Sequence, residues 1–240
     1  MSLCSPYTGR VKLFVDSSER TAMLEFAKNP IIRGFTTNPT LMRQAGVSDY
    51  RAFCKEMLTH INKPISFEVF ADDFPNMQRQ AREISSWAPN IYVKIPVTNS
   101  TGLPSTELIR ELSHTGVQVN VTAIFTLGQV QEVCQALRGG GPSIVSVFAG
   151  RIADTGCDPV PLMQAALEIC VAAGNNIELL WASPREVLNI VQADVVGCHI
   201  ITATPDLLKK LPTFNKDLAA FSLETVRMFK SDAEAAGYTL

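Results

Sequence analysis

Short apolar runs alternate with longer amphipathic stretches along nearly the whole chain, and few folds accommodate that rhythm. The runs lie at 12–16 (KLFVD), 31–36 (IIRGFT), 65–71 (ISFEVFA), 91–97 (IYVKIPV), 117–124 (VQVNVTAI), 143–149 (SIVSVFA), 177–182 (IELLWA) and 197–203 (GCHIITA). Each is short, rich in Val, Ile or aromatic residues, and bounded by Gly, Pro, Asn or Ser, so each reads as a strand. Helical segments are expected between them, at 18–28, 48–62, 74–87, 104–115, 126–137, 158–172, 184–193 and 205–211. Pro104 before and Gly116 after the fourth, and Ser48 as N-cap of the second, mark helix ends. Eight βα units in about 210 residues fit a closed parallel barrel inside a ring of helices, the α/β class known as the (β/α)8 or TIM barrel. The competing doubly wound open sheet usually has fewer strands and often a glycine-rich first turn. Here that turn is Asp16-Ser17-Ser18-Glu19. Nothing reads as a linker or a low-complexity stretch, so residues 1–240 are expected to form one domain, with an additional C-terminal helix over about 215–236.

Composition excludes several partners. The 21 basic and 23 acidic side chains leave a net charge of −2, which fits neither a nucleic-acid surface nor a polybasic membrane anchor. No apolar run approaches the ~18–20 residues of a membrane helix. Met1-Ser2-Leu3 supplies no charged or apolar leader, so no secretory signal is expected. Cys4, Cys54, Cys134, Cys157, Cys170 and Cys198 are scattered, with no pair at metal or redox spacing, as in a reduced, cytoplasmic protein whose thiols mostly pack in the core. His60, His114 and His199 are too dispersed for a metal centre, so neither metal nor cofactor is expected; His199, in an apolar strand, reads as a packed histidine.

Barrel chemistry sits at the carboxyl ends of the strands. The polar residues there are Asp16, Asn38, Glu68, Lys94, Asn120, Thr122, Ser146, Arg151 and Ser183. Strand alternation puts Asn120 with Thr122 on one face, and Ser146 with Phe148 on one face. Lys94 is the most informative, because its neighbours Ile91-Tyr92-Val93 and Ile95-Pro96-Val97 are nearly all apolar. One reading is a lysine at a strand end, snorkelling to solvent or paired with Glu68. The other is a Schiff-base lysine. A free lysine is only ~0.04% neutral at pH 7, and desolvation supplies the neutral amine that attacks a ketone. Asp16 and Glu68 would then move the protons that carbon–carbon cleavage and imine hydrolysis require. Taken singly, Asn38-Pro39 reads as a turn, Arg151 as either a phosphate ligand or a surface charge, and Gly150, Gly156 and Pro159 as a loop over the barrel mouth.

Several phrases in order carry a resemblance: Lys12-Leu13-Phe14-Val15-Asp16, Gly34-Phe35-Thr36-Thr37-Asn38-Pro39-Thr40-Leu41, Ile65-Ser66-Phe67-Glu68-Val69-Phe70, Tyr92-Val93-Lys94-Ile95-Pro96-Val97-Thr98, Val119-Asn120-Val121-Thr122 and Ser146-Val147-Phe148-Ala149-Gly150-Arg151-Ile152. From about residue 11 to about 211 the chain resembles the short bacterial class I transaldolases and their relatives, the fructose-6-phosphate aldolases. The resemblance implies a (β/α)8 barrel that works without a cofactor. It implies Lys94 as the Schiff-base lysine, Asp16 as the residue handling the C4-hydroxyl proton, and Glu68 with Thr122 on the water of imine chemistry. It implies Asn38, Asn120 and Ser146 on substrate hydroxyls and Arg151 on the acceptor phosphate, with Ser183 and Arg185 as further binding candidates. It implies sugar-phosphate substrates and a homo-oligomer, pentamer or decamer. Glu68 and Phe148 look like the transaldolase side of the family, where the aldolases carry Gln and Tyr.

The sequence also departs from the family pattern. After strand seven it reads Ala182-Ser183-Pro184-Arg185, without the stretch that carries a second basic phosphate ligand. Arg185 either replaces that ligand or stays on the helix surface. Three functions are therefore weighed: transfer of a dihydroxyacetone unit between sugar phosphates, aldol cleavage by a lyase with an altered phosphate site, and a binding paralogue without turnover. The complete set of proton-transfer residues argues against the last.

Overall fold

Strands that are apolar on both faces must be covered on both, and a ring of strands inside a ring of helices does this. The computed structural model, which describes residues 7–240, has that form. Cys4 and the Met1-Ser2-Leu3 reading lie outside the described residues. The strands are β1 (Lys12–Asp16), β2 (Ile32–Thr36), β3 (Ile65–Glu68), β4 (Ile91–Pro96), β5 (Val119–Ile124), β6 (Ser143–Val147), β7 (Ile177–Trp181) and β8 (Ile200–Ala203). Each pairs in parallel with the next, and β8 closes on β1. All eight fall within the expected runs. β3 stops at Glu68 rather than 71, and β8 starts at Ile200 because Gly197, at φ +88°, ends the helix before it.

The helices are α1 (Arg20–Ala27), α2 (Pro39–Gln44), α3 (Tyr50–His60), α4 (Phe74–Ser85), α5 (Thr106–His114), α6 (Leu127–Leu137), α7 (Ala149–Ala153), α8 (Val160–Ala173), α9 (Leu188–Val196), α10 (Pro205–Leu208) and α11 (Leu218–Ala235). Four of these correct the sequence reading. Asn38-Pro39 opens α2 rather than only a turn: Asn38 Oδ1 accepts from the Leu41 N–H at 3.0 Å, and proline suits the first helical turn. The residues around Gly150 form α7, where a loop was expected. α3 is capped by Asp49, not Ser48, through the Ala52 N–H at 2.9 Å. α9 starts at Leu188 rather than 184, because Asn189 Oδ1 accepts from the backbone N–H of both Arg185 and Glu186 and holds that stretch in a turn.

The chain divides into two compact units, Thr8–Leu208 and, among the described residues, Tyr7 with Lys209–Leu240; the single-domain expectation spans both. In the barrel unit Val15, Phe35, Phe67, Val93, Val121, Val145, Leu179 and Ile201 alternate with the inward-facing residues and are fully buried beneath the helices. Trp181, also fully buried, belongs to this outward set. Inside the ring, Phe14, Ile144, Leu180 and Ile200 form an apolar plug. Gly34 makes room for it, since a Cβ there would lie 2.4 Å from the Phe14 ring. Two residues further along each strand stand Asp16, Thr36, Ser146, Ala182 and Thr202, so the plug is the floor beneath a polar layer. Cys54, Cys134, Cys170 and Cys198 are buried and Cys157 is exposed. In the second unit, Leu211–Thr213 is a short 3-10 turn, and Asp217 caps α11 through the Ala220 N–H at 2.8 Å. α11 contains no buried residue. Among the described residues no helix is long and apolar enough to cross a membrane.

Candidate active site

Above the plug the barrel opens into a cavity of about 450 Å³, within the range of small-molecule sites. Its wall carries Asp16, Asn38, Glu68, Lys94 and Thr122 from the first five strands and their loops. Ser146, Phe148, Arg151 and Ser183 complete the far side.

Register brings the ionisable groups together. Lys94 of β4 pairs with Glu68 of β3 and Asn120 of β5. Lys94 is 5% exposed; its Nζ donates to the Thr37 carbonyl at 2.8 Å and lies 3.2 Å from Glu68 Oε2. The ion pair therefore exists, but the buried amine does not snorkel: it lines the cavity. Asp16 Oδ1 accepts from the Thr36 hydroxyl at 2.8 Å, and that hydroxyl lies 2.5 Å from Thr202 Oγ1. Burial pushes the Asp16 carboxyl above its ordinary value. The Lys94 ammonium and the Thr36 hydrogen bond work against that rise, and Glu68 adds to it.

Thr122 is 3% exposed, and its hydroxyl has no hydrogen-bond partner among the described residues. It is thus available to a water or a substrate oxygen at the cavity wall. Immediately after it, Ala123 adopts φ +60° where the β5–β6 register shifts, which turns the end of β5 at the rim. Asn120 is fully buried and lies outside the cavity wall; its amide donates to Ser66 Oγ at 2.9 Å and accepts from Ser146 Oγ at 2.6 Å. It braces Ser146 from the buried side of the polar layer. Asn38 lines the cavity while its Oδ1 caps α2, leaving its amide N–H groups for a ligand.

On the opposite rim, the Arg151 guanidinium lies 5.4 Å from the centre of the Phe148 ring, and Phe125 packs on the same ring at 5.5 Å. Gly150 is essential to this corner, since a Cβ on it would lie 1.5 Å from the Ser183 carbonyl oxygen. Ser183 itself sits at φ +58°. Arg185 is not part of the cavity wall. Its Nε and Nη2 donate to the two Asp154 carboxylate oxygens at 2.9 and 2.5 Å. Thr36 and Thr202, which support Asp16, were not singled out as site residues; their positions two residues beyond Gly34 and Ile200 on inward faces are the signal that identifies them.

Set beside known proteins, residues 13–240 match the family model described as transaldolase/fructose-6-phosphate aldolase. The chain belongs to that family. A probable transaldolase of Dehalococcoides mccartyi is 34% identical over 88% of this chain and 96% of its own length. One of Methanococcus maripaludis is 33% identical over 94% of this chain and 98% of its own. One of Mesorhizobium japonicum is 34% identical over 88% and 94%. Among solved structures the chain is similar in fold to KGPDC from Streptococcus mutans, with TM-score 0.56 and 13% identity over 84% of this chain and 92% of that one. It is similarly related to the tryptophan synthase alpha subunit of Campylobacter jejuni, with TM-score 0.53 and 13% identity over 87% and 92%. At that identity the two structures speak to the barrel fold alone.

Proposed function

We propose that this member of the family is a transaldolase, a transferase that moves a dihydroxyacetone unit from a ketose phosphate, sedoheptulose 7-phosphate or fructose 6-phosphate, to an aldose phosphate. The observation that carries the reading is the buried Lys94 amine, on the cavity wall beside Glu68 and within the electrostatic reach of Asp16. The amine adds to the ketose carbonyl, and loss of water gives an imine. Asp16 takes the proton of the C4 hydroxyl as the C3–C4 bond breaks, and the imine accepts the electron pair as an enamine. The three-carbon unit stays on Lys94 until an aldehyde enters and the steps reverse. Glu68, aided by the unpartnered Thr122 hydroxyl, holds the water lost and regained. Asn38 and Ser146 bind substrate hydroxyls, and Arg151 meets the phosphate.

Glu68 and Phe148 favour transfer over the lyase alternative, fructose-6-phosphate or dihydroxyacetone-type aldol cleavage. No Phe148 hydroxyl is available to protonate the enamine, which would release free dihydroxyacetone. Incubation with fructose 6-phosphate, borohydride reduction and peptide mapping tests the reading. A dihydroxyacetone-sized adduct on Lys94 supports it, and its absence with both fructose 6-phosphate and dihydroxyacetone sinks it.

The reading extends to a cytoplasmic homo-oligomer, pentameric or decameric. α11 leaves Leu218, Val226 and Phe229 at 81, 59 and 62% exposure, an apolar surface that a second copy would cover. Sedimentation of a monomer at micromolar concentration would remove that part of the proposal.

A further inference from the structure

Two guanidiniums stand at the same rim, and only one is available to a ligand. Arg151, on α7, lines the cavity. Arg185 follows two residues after cavity-lining Ser183, and its Nη1 donates to the Ser183 carbonyl at 3.0 Å, which places its head group at the edge of the site. Asp154, the residue that closes α7, occupies that head group with both carboxylate oxygens. A two-oxygen grip on a guanidinium fork is the geometry a phosphate uses. Asp154 thus presents to Arg185 the same contacts an acceptor phosphate would. Both arginines hold the Asp154 carboxyl below the ordinary carboxylate range, so it is ionised across the physiological span.

We infer that Asp154 is a specificity-determining residue that sets the affinity of the site for phosphorylated acceptors, by acting as an internal anion that withholds Arg185 from the substrate. The inference rests on the proposed reaction for its substrate class, and on the rim geometry for everything else. It makes Asp154 a positioning residue: it touches no reacting atom and acts through Arg185. Its removal therefore changes binding of the charged end of a substrate and leaves the bond-breaking steps alone.

The test compares the wild-type protein with Asp154→Ala and with the double variant Asp154→Ala/Arg185→Ala. Both side chains are about half exposed, so the fold tolerates their loss. With sedoheptulose 7-phosphate saturating, kcat and KM are measured for glyceraldehyde 3-phosphate and for unphosphorylated glyceraldehyde. Asp154→Ala is expected to lower the KM for glyceraldehyde 3-phosphate by about three- to fivefold, the scale of one exposed charge pair. The KM for glyceraldehyde and both kcat values stay unchanged, and the double variant loses the gain. An unchanged or higher KM for the phosphorylated acceptor in Asp154→Ala overturns the inference. So does a gain that survives loss of Arg185, or an equal gain for both acceptors. Calorimetric titration with inorganic phosphate reads the same claim without turnover: tighter binding in Asp154→Ala alone supports it, and equal binding in all three proteins overturns it. Failure of the reaction itself is seen separately, as wild-type protein that yields neither turnover nor a trapped Lys94 adduct.

Discussion

The two ends of the barrel interior hold the same chemical pair in different surroundings. Near the amino-terminal end, Lys12 of β1 meets Glu178 of β7 at 2.5 Å, with the side chains 39 and 29% exposed. Near the carboxyl-terminal end, Lys94 meets Glu68 at 3.2 Å, with 7 and 14% exposed. At the first site water screens both charges. At the second the ammonium is wedged between a carboxylate and a backbone carbonyl, a second carboxylate acts on it from β1, and a cavity lies in front. A lysine–carboxylate pair is thus no indicator of chemistry by itself. Burial, a second carboxylate and room for a carbonyl compound are what single out Lys94 for the proposed chemistry.

Exchanging side chains at the two ends tests that contrast. Lys94→Met should remove the borohydride adduct and lower kcat by a factor on the order of 10⁵, as expected for loss of a covalent nucleophile. Near-normal turnover in that variant would erase the distinction between the two lysines. Asp16→Asn should lower kcat by about 10²–10⁴. Its pH profile sharpens the point. Asp16 must be ionised to accept a proton and its value is raised above 3.8, so wild-type activity should fall on acidification at a pH above the usual carboxylate range. The variant's residual activity should lack that limb. Stability has the opposite sign. A folded-state value above the unfolded one contributes stability fully present below the unfolded value and lost as pH rises through the folded value. The asparagine variant should therefore unfold at a higher temperature than wild type near neutral pH. Thr122→Val should cost about tenfold in kcat, yet shift stability by less than about 1 kcal/mol, because it removes a hydroxyl that no protein group engages. Smallest of all, Lys12→Met should leave kcat unchanged and alter stability by about 1 kcal/mol or less, a difference that shrinks in high salt.

The same contrast explains what could be read from the sequence. Eight strands were legible because period two and turn residues are local properties, and closure follows from their number and order. Two short helices were not: α2 and α7, of six and five residues, are too short for a helical repeat to show, and Asn38-Pro39 also suits a turn and Gly150 a loop. For the site, alternation told which face a residue occupies but not its height along the barrel axis. Asn120 and Thr122 share a face, yet one is a buried strut and the other borders the cavity. Lys94 stood out because its neighbours on the strand are apolar. The engagement of Arg185 was invisible because its partner, Asp154, is 31 positions away on another loop, with no pattern linking the two.

That pairing is one of three ties between the segments that follow β6 and β7. The Gly150 N–H donates to the Ala182 carbonyl at 3.2 Å, and the bare Cα of Gly150 sits against the Ser183 carbonyl. Arg185 then clasps Asp154 across the same seam. The two connections are mechanically a single part, so a change written into one is carried to the other. Lengthening the segment after β7, or placing any side chain at position 150, displaces α7 and moves Arg151 with it. For an engineer seeking new acceptors, the unit of redesign is this joined pair of loops rather than either alone, while the first four strands, which carry Asp16, Glu68 and Lys94, can be left as they stand.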